Sequence, residues 1–206
     1  MILEEAFAAL APDLAKSLQP WMYPFRVIVT AAVLIWLWVI VRKESYTWHA
    51  PSAPSLALAV LAGVGIIVFW IAIGPMFRVS APTGVNPIPE GPTAAGLWLT
   101  MRFLGAVVLV PIIEELFWRS FLARRVDVDD VTELRPEDIS WKAIAITSLV
   151  FGFGHSEVVA GAISGIVFCW LYKRNGNLLE PIIAHAIANL LLFVYVVKFS
   201  AFEFWG

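Results

Sequence analysis

The sequence predicts an all-α fold, a polytopic transmembrane helix bundle of about six spans, and three observations carry that reading. The chain of 206 residues is 60% hydrophobic and only 15% charged, and its mean hydropathy of +0.82 lies outside the balance of a soluble globular domain. Its apolar residues come in runs that approach the roughly 20 residues a helix needs to cross a bilayer. Its charges fall between those runs.

Ahead of the first run, residues 2 to 18 set Ile2, Leu3, Phe7, Leu10, Leu14 and Leu18 among Glu4, Glu5, Asp13 and Lys16, with Pro12 as an interruption. That pattern predicts an N-terminal amphipathic helix lying in the membrane interface. Six spans are then expected near 24–41, 55–75, 96–122, 141–157, 158–172 and 178–198, the fourth and fifth short. Pro51 and Pro54 punctuate the first link. The second, "SAPTGVNPIPEGPTAAG", is too rich in proline and glycine to continue a helix. The third, "VDVDDVTELRPEDISWK", is acidic and hydrophilic. With no internal repeat, residues 1–206 read as a single membrane domain, in which 1–95 hold the interfacial helix and two spans and 96–198 form a core of four spans.

Charge and cysteine usage narrow the class further. The 14 basic and 16 acidic residues nearly cancel, so no nucleic-acid partner is expected and the partner that matters is the lipid bilayer. Arg42 and Lys43, then Arg124, Arg125, Arg135 and Lys142, then Lys173 and Arg174 share one side under a six-span count. The positive-inside rule puts those links in the cytoplasm and both termini outside. Trp21, Trp48, Trp141 and Trp205 stand where interfacial anchors belong. The one cysteine, Cys169, lies within a run, which excludes an intrachain disulfide framework and a cysteine-rich zinc site. "MILEEAFAAL" opens with acids where a cleavable leader needs basic residues.

A charged side chain at the bilayer centre costs about 2.5 to 3.5 kcal/mol on insertion scales, so each ionisable residue inside the spans asks for a reason. They are Arg102, Glu114, Glu115, Arg119, His155, Glu157 at a span end, and His185. Glu115 and Arg119 stand four apart on one helix and can pair. Glu114 lies about 100° round the helix from Glu115, and the residue four beyond it is Trp118. His155 follows Phe151 by four in the glycine-bearing "FGFGHSE", and His185 and Asn189 share a face of the last span. Three helices each deliver a polar face. A carboxylate, two histidines and an amide are the parts of a hydrolytic site, in which a base or metal activates water and donors stabilise an oxyanion.

The three blocks Glu114-Glu115-x-x-x-Arg119, Phe151-x-x-x-His155 and His185-x-x-x-Asn189, in this order, resemble the CAAX prenyl endopeptidase and bacteriocin-processing (abortive infection) family of intramembrane proteases. The stretch from Asn86 to Val126 is also similar to the branch of CAAX-protease-related proteins found beside bacterial exosortase sorting systems. The resemblance implies an intramembrane endopeptidase of a bacterial inner membrane, acting on a membrane-associated peptide or protein, with a possible link to such a sorting system. It implies that Glu114 and His155 hold and activate the attacking water, that His185 and Asn189 face the scissile carbonyl, and that Glu115 and Arg119 support them. Two routes stay open. Either a divalent metal, zinc among the candidates, is held by Glu114, His155 and His185, or the glutamate acts without a metal. A proton-coupled transporter, or a non-catalytic adaptor or immunity protein, would use the same residue types differently.

Overall fold

A computed structural model describes residues 12–40, 49–79 and 84–205, apart from the side chains of 12–17 and 37–40. Six helices account for it: α1 (Pro12–Ile40), α2 (Ala53–Ile73), α3 (Pro92–Arg125), α4 (Trp141–Phe153), α5 (Val158–Asn175) and α6 (Leu179–Phe199). Among the described residues there is no strand, only an isolated antiparallel bridge between Arg78 and Glu157. The expected all-α bundle is what the chain forms. Within α1, α2, α3 and α6 lie stretches long and apolar enough to cross a membrane, whereas α4 has only 13 residues. Large apolar side chains such as Ile35, Leu61, Val68 and Phe153 are exposed around the bundle, as a lipid-facing surface requires.

The interfacial helix expected over 2–18 differs in its second half. Residues 12–18 are the first turns of α1 itself, and the remainder lies outside the described residues. Pro12 opens the described helix, a position where its missing N–H costs nothing. Pro20 and Pro24 lie inside α1.

Capping and packing fix the core. Ser52 caps α2 by accepting from the Ser55 amide, and Ser140 caps α4 by accepting from the Ala143 amide at 3.0 Å. Ser140 is in turn gripped by Asp127, which accepts from its amide at 2.7 Å and from its hydroxyl at 2.6 Å. The acidic third link is therefore folded over the ends of α3 and α4 rather than wholly solvated. Lys173 donates to the Glu137 and Ile139 carbonyls. On the same link the Thr132 hydroxyl and amide donate to Asp130 and hold its carboxyl below the usual carboxylate range. Beneath the link, Ala123, Ile139, Ala143, Ile144, Cys169, Tyr172, Leu178 and Ile182 form a buried cluster that fills the basic end of the bundle.

α4 and α5 form a hairpin held by small residues. A Cβ on Gly152 would meet the Val158 carbonyl oxygen at 2.6 Å, and one on Gly161 would meet the Gly152 Cα at 3.0 Å. The two backbones touch, and the turn 154–157 is set by that contact. α2 packs on α6 by the same device, since a Cβ on Gly63 would collide with the Ala184 carbonyl. Arg174 at the end of α5 joins this end of the bundle together, donating to Ser55 at 2.9 Å and to the fully buried Glu180 at 2.8 Å. Glu180 is a first-turn acid, as its place before Pro181 suggests, and it is also half of an ion pair.

Candidate active site

α3 supplies two adjacent carboxylates whose surroundings differ. Glu115 is fully buried, and each of its oxygens faces a basic side chain: Oε2 lies 3.0 Å from the Arg119 Nε and Oε1 lies 2.8 Å from the His185 Nδ1. Arg119, 2% exposed, is sandwiched between rings, its guanidinium 4.4 Å from the Phe151 centroid and 5.2 Å from that of Phe168. Glu114 keeps about a third of its side chain exposed, and its buried Oε2 has no hydrogen-bond partner. The His185 Nε2 stands 4.0 Å from that oxygen.

Both histidines are fixed through Nδ1. The Phe151 carbonyl accepts from His155 at 2.8 Å, which makes Nδ1 the protonated nitrogen and leaves Nε2 bare. His155 is further held by the rings of Phe151 at 4.6 Å and Trp70 at 5.5 Å. His185 is 5% exposed, stacked on Phe168 at 4.8 Å, and its Nδ1–H points to Glu115. Its Nε2 is the atom left to face Glu114.

Asn189 has a partner with a covalent cause. α3 contains a π-helical segment, Leu104–Leu109, in which the Val110 amide reaches back five residues to the Gly105 carbonyl. The corresponding donor for the Ala106 carbonyl would be residue 111, which is proline and has no N–H. Asn189 supplies it, donating through Nδ2 to the Ala106 oxygen at 2.8 Å. One amide hydrogen of Asn189 remains.

Glu114, His155, His185 and Asn189 all line one cavity of about 220 Å³, together with Trp70 and Glu157 among others. The cavity thus brings together the four residues that the three sequence blocks single out, while Glu115 and Arg119 lie behind its wall. Among the described residues, no three His, Cys, Asp or Glu side chains gather as a metal-holding group. Sequence reasoning misses the bond from Glu115 to His185, which spans 70 positions, and it misses the pairing of Glu157 with Arg78, whose Nε lies 2.6 Å from Glu157 Oε1. The available signal was that Glu157 stands two residues beyond His155.

A bundle with apolar spans and a polar cavity sunk among them defines an all-helical integral membrane protein. Residues 96–191, 96 of the 206 in the chain, match the family described as Rce1-like, type II CAAX prenyl endopeptidase Rce1-like, and that range holds the three blocks singled out in the sequence. Comparison with curated proteins and with solved structures gave no match.

Proposed function

We propose that the chain is an intramembrane endopeptidase in which Glu114 activates water for attack on a peptide bond of a membrane-associated protein or peptide. One observation carries the reading: of two adjacent carboxylates in α3, Glu115 is held between Arg119 and His185, whereas Glu114 has a free oxygen in a cavity shared with two histidines and an amide. Paired carboxylates in unlike surroundings take unlike roles.

In this reading Glu114 accepts a proton from a water that the bare Nε2 of His155 helps to hold. The water oxygen adds to the scissile carbonyl carbon, and the carbonyl oxygen becomes an oxyanion beside the remaining N–H of Asn189 and the His185 ring. Glu114 then returns its proton to the amide nitrogen as the C–N bond breaks, releasing a carboxylic acid and an amine, and the acid's proton passes to the amine to leave a carboxylate and an ammonium group. The donor chemistry of Glu114 and two imidazole Nε2 atoms suits a divalent cation, but the described side chains do not converge on one point as a ligand set does, so no step is routed through a metal. A neighbouring exosortase-type sorting system remains part of this proposal through the resemblance of residues 86–126 alone.

Comparative membrane proteomics of cells carrying the wild type or Glu114→Gln tests the reading. The expected result is a peptide whose cleavage disappears with the variant while the protein level is unchanged. Wild-type proteolysis by Glu114→Gln would overturn it and favour the adaptor or transporter alternatives.

A further inference from the structure

The cavity lining runs from Glu114, His185 and Phe168 to the turn Gly154–Glu157 and Phe204. Its floor is Glu114, His185 and Phe168, below which the buried cluster around Ile139, Ile144, Cys169 and Leu178 fills the space up to the third link. No residue of that cluster lines the cavity. Its upper lining is the turn Gly154–Glu157 with Phe204, and there Gly154 is exposed and His155 and Ser156 are half-buried. This rim is tied to the segment after α2: Glu157 holds Arg78, the Val79 amide donates to the Ser156 carbonyl at 2.9 Å, and the Arg78 guanidinium sits 5.1 Å over the Phe204 ring. The basic residues Arg124, Arg125, Lys142, Lys173 and Arg174 all stand at the ends of helices on the side of that cluster.

From these facts we infer that the cavity opens to the extracytoplasmic side, and that its substrate is an exported polypeptide whose scissile bond lies in, or just beyond, the outer half of the bilayer. The basic end of a helical membrane protein faces the cytoplasm, and here that end is sealed by packed apolar side chains. A peptide terminus held at the cytoplasmic membrane surface would have to pass through that cluster to reach Glu114. One arriving from outside needs only to pass the rim at Gly154–Glu157. The inference rests on the endopeptidase reading for the word substrate, but the direction of opening does not depend on any catalysis.

Thiol accessibility tests it in full-length protein with Cys169 replaced by serine. Ser156→Cys and Gly154→Cys report the rim, Glu114→Cys the floor, and Asp129→Cys, on the exposed third link, the basic end. In intact spheroplasts a small charged methanethiosulfonate should modify both rim cysteines and Glu114→Cys as fully as it does in detergent. Asp129→Cys should react only after permeabilisation. Reaction of Glu114→Cys only from the cytoplasmic side would overturn the inference, as would reaction of the rim cysteines only after permeabilisation. A floor cysteine reached from neither side would also overturn it, because the cavity would then open to neither aqueous phase. Labelling as expected in a protein that cleaves nothing would leave the direction of opening intact and remove the endopeptidase reading.

Discussion

At the scale of single residues, the difference between Glu114 and Glu115 decides what their substitutions should do. Glu114→Gln keeps shape and a hydrogen-bonding end but cannot carry a proton, so turnover should fall by about 10² to 10⁴, with the protein folded and substrate still captured. Glu115→Gln leaves Arg119 buried beside a neutral amide and removes the acceptor that orients His185. It should lower stability by about 3 to 5 kcal/mol, read as the denaturant midpoint in micelles, and should lower the turnover of whatever remains folded. A Glu115→Gln protein of normal stability would contradict the ion pair. Asn189→Ala removes a donor from the cavity and also strands the Ala106 carbonyl, so a rate loss of about 10² to 10³ should come with a measurable loss of stability. His185 and Asn189 were legible together because i, i+4 spacing within α6 fixes a shared face, Glu114 because it is an intramembrane carboxylate with no partner at i+4, and His155 because it follows Phe151 by four, although it lies in the turn just past the end of α4. The Glu115–His185 bond was not, because it joins faces of two helices whose rotation only packing determines.

At the scale of elements, close helix contacts give a paired prediction within α2. Gly63 lies against the Ala184 backbone, while a Cβ added at Gly65, two residues on, would meet nothing within 4 Å. Gly63→Ala should therefore force α2 from α6 and destabilise by about 1 to 3 kcal/mol. Gly65→Ala should be neutral or should stabilise by up to about 1 kcal/mol through helix propensity. Equal effects on thermal unfolding in the same detergent would show that α2 and α6 do not pack as described. The spans were legible in outline from apolar runs and flanking charge. The π-helical segments Leu104–Leu109 and Leu116–Leu122 were not, since a run of apolar residues reads alike at i→i+4 and i→i+5. Neither was the continuation of α1 back to Pro12: a proline ends a helix from within but opens one without penalty, and the sequence shows the residue, not the side on which the helix lies.

For the whole molecule, an ion pair stands at each end of the bundle, Arg174 with Glu180 at one and Arg78 with Glu157 at the other. Arg78→Ala leaves Glu157, 5% exposed, without its cation and should destabilise by about 3 to 5 kcal/mol. Removing both charges in Arg78→Ala/Glu157→Ala should recover part of that loss. A double variant no more stable than Arg78→Ala would show that the pair is not coupled. These pairings span 6 and 79 positions, and only the shorter could be suspected from a helix end rich in polar residues.

The shortness of α4 carries a consequence of a different kind. Its 13 residues extend about 20 Å, against a hydrocarbon layer of about 30 Å, and its end residues Trp141 and Phe153 are 63% and 74% exposed to the surroundings. Lipid beside α4 must either compress or leave headgroups near apolar surface, at fractions of a kcal/mol per Å of mismatch. Because His155 follows directly on the end of α4, acyl-chain length becomes a mechanical load on the cavity. In reconstituted bilayers of one headgroup, turnover should decline as the chains lengthen. Turnover indifferent to chain length would mean that the neighbouring helices carry the load and α4 feels none of it.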